Sequence, residues 1–371
     1  MDSYYTSYFN TSYKQRFPTH STNKRIIRNV STSQNKQTVS DHTVFRHYDT
    51  DCVQKQANKL NEVRGSNGQT YTRNGVPYAV WLTGCVQTMW SNHYDGTGVV
   101  VAVIDDGVDR NHDSLRSCMD GRVKVIREVD LSVAKQPTKE HGTLVAGLIA
   151  GYAQDGYKGV APNAQIISYN VFEPNGNASS QILANAINLA VSQGCHIINL
   201  SLGSQSPSTV VLNAIDRAYS SGILVLASSG NEGVDTINYP AYYSPVVSVG
   251  SLQYNLTDAS FIASDFTSTN NQVDISAVGS DVVVCLPNNA YGLASGTSFS
   301  CPITSGCAAL LRSRYLEQRR LPNNTRINVQ KQRLWLQANS VDLFARGVDD
   351  ASGCGLVCFL QSPPSLTTYS V

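Results

Sequence analysis

Between residues 76 and 361 the hydrophobic positions fall in short dense runs separated by stretches of helical spacing. Val99-Val100-Val101-Ala102-Val103-Ile104 is almost wholly β-branched, which suits a strand covered on both faces. Further apolar runs predict strands at Val123–Val129, Gln165–Val171, Ile197–Leu202, Ile223–Ala227 and Val246–Val249. Helical patterns occupy His141–Ala150, Ser180–Gln193, Thr209–Ser221 and Ile303–Arg319, the second stopped by Gly194. Strands alternating with helices predict an α/β fold, a three-layer sandwich with a mostly parallel central sheet flanked by helices. Ligand sites in such folds gather at the C-terminal ends of the strands.

Residues 1–75 break the pattern, being rich in Tyr, Ser, Thr, Asn and Gln without a sustained period. Within residues 1–40, Lys14, Arg16, Lys24, Arg25, Arg28 and Lys36 face one acid, Asp2. Such a segment buries too little apolar surface to offset its ordering entropy, so it reads as a disordered basic tail. An organellar targeting segment and a removable pro-segment are the alternatives. Residues 362–371 read as a short C-terminal tail, which leaves 76–361 as one domain.

Composition narrows the classes. The 371 residues are 41% hydrophobic and 15% charged, enough for a sizeable core. A net charge of +1 gives no pull toward nucleic acid or an anionic membrane. No run approaches the ~18 apolar residues of a membrane span. Met1-Asp2-Ser3-Tyr4-Tyr5 lacks the apolar stretch of an export signal, which leaves the compartment unassigned with intracellular favoured over secreted. A monomer is the expectation. The nine cysteines are odd in number and several sit in apolar runs, which predicts buried thiols. No zinc-like grouping of cysteine and histidine occurs, so no metal ligand is assigned.

Three motifs carry chemistry. The first strand run ends in Asp105-Asp106-Gly107, and a carboxylate at the end of a buried strand needs donors. Glu140-His141-Gly142-Thr143 starts a helix with a residue suited to general-base work. Ser295-Gly296-Thr297-Ser298-Phe299-Ser300-Cys301-Pro302 leads into another helix, where the free N–H groups favour developing negative charge. Taken singly, the first reads equally well as an Asp-capped turn, the second as a structural histidine, the third as a helix cap. In the order Asp, His, Ser they resemble the subtilisin-like serine protease family.

The resemblance spans about residues 76–361 and includes Gly159-Val160-Ala161-Pro162, Tyr239-Pro240-Ala241 and Gly353-Cys354-Gly355-Leu356-Val357. It implies a serine endopeptidase with Ser298 as nucleophile, His141 as base and Asp105 orienting the histidine. Asn231, in Ser228-Ser229-Gly230-Asn231, would supply an oxyanion donor together with the Ser298 N–H. Ser201, Leu202 and Gly203 would bind protein or peptide substrate as an added strand, and Ser228, Ser229 and Gly230 would wall the first specificity pocket. A subtilisin-fold protein that binds peptides without cutting them is the competing reading.

Asp106 matches the kexin and furin branch, yet Ser204–Ser208 carries no carboxylate to select basic residues. An apolar or mixed pocket preference follows, with Glu232 and Asp235 leaving room for positive charge. The chemistry requires no cofactor. Family members commonly hold calcium after the histidine helix; here Ala153–Lys158 offers one carboxylate, Asp155, against the roughly 6–8 oxygens calcium takes.

Overall fold

Seven consecutive parallel strands form most of a 10-stranded sheet, and their side chains alternate between two apolar layers. The structure is a computed structural model and describes residues 43–47, 54–57, 59–65, 69–154 and 156–360. The parallel strands lie in the spatial order Val273–Val278, Val247–Asn255, Leu224–Ser228, Ile197–Leu200, Val100–Asp105, Gln165–Asn170 and Val125–Asp130. Leu356–Val357 extends the first edge, parallel to Val273–Val278.

The period of two decides which layer each residue enters. On Val100–Asp105, Val101 and Val103 pack with the helices His141–Ala150 and Thr297–Gln318. Ala102 and Ile104 pack with Ser180–Ser192 and Thr209–Ser220 on the other face. Leu224 and Leu226 against Val225 and Ala227 repeat the division. Full burial of each Val, Leu or Ile is worth about 1.5–3 kcal/mol, which fixes the register of the whole sheet. The three-layer α/β architecture is the one the sequence pattern predicts.

Two elements differ from expectation. The helix expected from Ile303 begins at Thr297, because its first turns carry buried Ser298, Ser300 and Thr304, which an apolar period does not register. Val44–Phe45, in the stretch read as tail, forms a strand antiparallel to Ala178–Ser179. A strand of two residues offers no period to detect. The readings made on residues 1–42 and 361–371 fall outside the described residues.

Eight of the cysteines are buried thiols, and Cys52 lies outside the described residues. Lys124 is buried at the end of helix His141–Ala150, where its Nζ donates to the carbonyls of Ala150 and Pro162. Burial pushes its pKa down to about 8. Among the described residues no helix is long and apolar enough to cross a membrane.

Candidate active site

The central strand Val100–Asp105 delivers Asp105 to the sheet's C-terminal edge with no exposure to solvent. Both carboxylate oxygens lie 3.0 Å from His141 Nδ1, and Oδ1 also accepts the Asp106 N–H at 2.8 Å. A carboxylate can only accept, so His141 Nδ1 carries the proton and Nε2 presents a lone pair. Asp106 turns the other way. Its Oδ2 accepts from Thr138 Oγ1 at 2.5 Å, Glu140 N at 3.1 Å and His141 N at 3.0 Å, and its Oδ1 from Gly142 N at 2.7 Å. These are N–H groups that a helix start leaves without intrahelical partners, so Asp106 caps the helix that carries His141. Gly142 permits the approach, since a Cβ there would sit 2.1 Å from the Gly107 carbonyl oxygen.

Ser298 stands in the first turn of helix Thr297–Gln318, buried, with an Oγ that makes no hydrogen bond to the described residues. Phe299, next in the chain, holds its ring 5.7 Å from that of His141. Pro302 lies four residues after Ser298 and has no N–H to offer the Ser298 carbonyl. Ser201 Oγ donates to that carbonyl instead, at 2.9 Å. Ser201 Oγ is in turn held by Asn199 Nδ2 at 3.0 Å, and Asn199 Oδ1 accepts from Ser305 Oγ at 2.9 Å. Asn231 Oδ1 accepts from Thr297 N at 2.9 Å and Thr297 Oγ1 at 2.8 Å. A backbone N–H is an obligatory donor, so the amide NH2 of Asn231 is the end turned away from Thr297.

Ser228 ends the strand Leu224–Ser228 at this same edge, and Ser229 and Gly230 follow it. Ser228 Oγ donates to Leu200 O at 3.4 Å, Ser229 N to Val249 O at 2.9 Å, and Gly230 N to Thr297 Oγ1 at 3.3 Å. Gly230 has φ +117°, and a Cβ on it would meet Asn238 Nδ2 at 2.0 Å. Asn238 Nδ2 bridges Ser229 O at 3.1 Å and Glu232 Oε2 at 2.8 Å, and Ser268 Oγ donates to that same oxygen at 2.8 Å. Glu232 is therefore engaged in holding the wall together. Tyr239-Pro240 is cis.

Sequence reasoning missed what lies against this edge. Arg46 pairs antiparallel with Gly203, N to O at 3.0 Å in one direction and 2.9 Å in the other. The next residue, His47, puts its ring 4.2 Å from His141, 3.8 Å from Phe172, and its Nε2 3.7 Å from Asp105 Oδ1. Burial first, and the neighbouring His141 second, push the His47 pKa down to about 3, against the pull of Asp105. Only the short alternation Val44 out, Phe45 in, Arg46 out could have signalled it, and five residues are too few.

His47, Asp105 and His141 have ligand-type atoms within 4.8 Å of one another, but Asp105 and the His141 Nδ1 already satisfy each other. The loop after the histidine helix, where one carboxylate was too few to assign calcium, is occupied by other contacts. Tyr152 and Lys158 pair across it, Lys158 Nζ lies over the rings of Trp90 (5.5 Å) and Tyr152 (5.9 Å), and Asp155 is outside the described residues.

Residues 96–355 match the family model described as the subtilase family. The chain belongs to the subtilase family. This subtilase is similar to subtilisin E of Bacillus subtilis (strain 168), 36% identical over 245 residues, which are 65% of this chain and 62% of that protein. The subtilisin of Bacillus pumilus is also 36% identical over 245 residues, covering 86% of its length. Among solved structures, the S41 Psychrophilic Protease aligns with a TM-score of 0.63 and 28% identity, over 72% of this chain and 93% of that one. Matched to subtilisin E, the subtilase thus spans less than two thirds of its relative's length.

Two outcomes follow from the geometry. Asp106→Ala should cost about 1–2 kcal/mol in denaturant unfolding, the usual loss for a helix cap, with Asp106→Asn retaining part of it. The second concerns His47, which faces His141 and Asp105. Docked, its imidazole stays neutral down to about pH 3; released, it takes a proton below its ordinary 6.5. Docking is therefore fully favourable above pH 6.5 and weakens as pH falls toward 3. Protection of the Gly203 amide from hydrogen exchange, corrected for intrinsic rates, should be lower at pH 5 than at pH 8. His47→Phe should remove that difference, and equal protection in the wild type would contradict the reading.

Proposed function

We propose that this subtilase is a serine endopeptidase acting through an acyl-enzyme. The observation that carries this is the His141 ring held by a fully buried carboxylate at 3.0 Å, with Ser298 in the first turn of a helix whose next residue, Phe299, brings its ring to 5.7 Å from that of His141. In this reading His141 Nε2 takes the Ser298 proton as Oγ attacks the scissile carbonyl, and returns it to the leaving amine. Asp105 stabilises the imidazolium and keeps the tautomer. The Asn231 NH2 and the Ser298 N–H donate to the oxyanion, where the free N–H groups of the helix start add to them.

Substrate is read as an extended peptide added to Ser201-Leu202-Gly203, with Ser228, Ser229 and Gly230 along the first pocket. The pairing of Arg46 with Gly203 supports that mode, since it shows the edge accepting a strand. Glu232, occupied by Asn238 and Ser268, supports an apolar or mixed preference in that pocket. The chemistry calls for no metal.

A fluorophosphonate probe should label the wild type and leave Ser298→Ala unlabelled; a folded wild type that stays unlabelled while binding peptides would favour the silent-site alternative. In the same pair, intact mass should show the wild type shortened by self-cleavage between residues 23 and 75 and Ser298→Ala at full length. Asn231→Ala should lower kcat by about 10²–10³, the loss known for such a donor in subtilisin, with KM little changed.

A further inference from the structure

We propose that the far end of the helix that begins beside Ser298 carries a docking face for single-stranded nucleic acid, formed where helix Thr297–Gln318 meets helix Val329–Ala338. The whole chain balances 28 basic residues against 27 acids, which hides a local excess. Seven of the basic residues fall within 312–333, against the single acid Glu317. Arg312 and Arg333 are used inside the fold. Arg312 Nη2 donates to Asn323 O at 3.1 Å and Thr325 O at 2.8 Å, and Arg333 pairs with Asp274. The other five, Arg314, Arg319, Arg320, Arg326 and Lys331, reach the surface. Among the described residues, Arg314, Arg320, Arg326 and Lys331 form no ion pair.

Arg319 and Arg320 follow the C-terminal end of Thr297–Gln318, where cations complement the helix dipole. That reason fails for Lys331, which lies in the first turn of Val329–Ala338, where the dipole disfavours positive charge. Rings hold it there instead. Its Nζ lies 4.6 Å from the Tyr315 ring centroid and 5.6 Å from that of Trp335, and those two rings are 4.8 Å apart. The Arg319 guanidinium lies 5.3 Å from the same Tyr315 ring. One turn back, Arg314 sits 5.9 Å from the ring of Tyr94, whose hydroxyl accepts from Gln318 Nε2 at 3.2 Å. Like charges gathered and steadied in this way repel one another, and a polyanion relieves the repulsion.

Cations interleaved with half-buried rings fit a single strand, whose phosphates meet the cations while its bases stack on Tyr94, Tyr315 and Trp335. A membrane surface fits worse, because no large apolar side chain within 312–335 stands exposed. An acidic polypeptide matches the charges but brings no run of planar groups for the rings. The face is built into the fold, since Arg312 pins the loop between the two helices. Helix Thr297–Gln318 is 22 residues long, so the face lies roughly 30 Å from Ser298 at the other end, and docking leaves the cleft open. Docking here does not depend on peptidase chemistry.

The test follows the fluorescence anisotropy of a labelled oligouridylate of about 20 nucleotides, long enough to cover such a face. The full-length Ser298→Ala chain is used, so that the basic segment 1–40 contributes equally to every variant. Four phosphate contacts give a slope of about −3 for log affinity against log salt, a loss of about fiftyfold between roughly 50 and 200 mM. Arg326→Gln with Lys331→Gln should flatten that slope by about 1.4. Arg110→Gln with Lys139→Gln, which removes the same charge beside Glu128, should leave it unchanged. Tyr315→Leu should weaken binding about tenfold with the slope kept, and charge-matched poly-glutamate should compete about tenfold less well than unlabelled oligouridylate. No binding at low salt, an unchanged slope in the Arg326 and Lys331 pair, or equal changes in both pairs overturns the docking face. Equal competition by poly-glutamate, or unaltered affinity in Tyr315→Leu, overturns nucleic acid as its partner and points to an acidic protein.

Discussion

A carboxylate buried at the end of the central strand is the constraint around which this site is arranged. Asp105 has no contact with solvent, and an ionised carboxylate in that position costs several kcal/mol unless donors meet it. The strand that carries it supplies one, the N–H of Asp106. The rest must come from elsewhere in the chain, and His141, 36 residues on, provides the ring N–H. Asp106 then fastens the same helix by its end, through the N–H groups of Glu140, His141 and Gly142. Two adjacent carboxylates thus fix one histidine, one by its ring and the other by its backbone.

The serine is placed by a second deficit. Pro302 deprives the Ser298 carbonyl of its intrahelical donor, and the Ser201 hydroxyl takes over. Through Asn199 and Ser305 this contact becomes a buried polar chain between the strand Ile197–Leu200 and the helix Thr297–Gln318. Ser201, Asn199 and Ser305 each find a partner in that chain, so it adds rigidity without the cost of an unpaired buried polar group. The edge proposed to take up a peptide and the residue proposed to attack it are therefore tied together by one chain of hydrogen bonds. Asn231 is tied to the same helix through Thr297.

Segment 43–47 shows what an open strand edge does in its own molecule. Ser201-Leu202-Gly203 leaves the sheet with backbone groups still able to pair, and Arg46 supplies the partner. The pairing is short. It is held in place by the side chains it buries, Phe45 in the apolar layer and His47 on two rings.

Sequence alone determined the architecture and the motifs. Runs of β-branched residues and helical spacing reflect local periods, and those periods decide which faces are covered. Asp105, His141, Ser298 and Asn231 were legible because each sits in a short motif at the end of a predicted element. Tertiary structure decided the division of labour within Asp105-Asp106, since adjacent identical side chains look alike in a sequence and only the approach of a distant helix tells them apart. It also decided that Glu232 is spoken for by Asn238 and Ser268, and that His47 and Phe172 meet over His141. Those pairings join separate segments of the chain, and no local period encodes a contact between segments that only the folded sheet brings together.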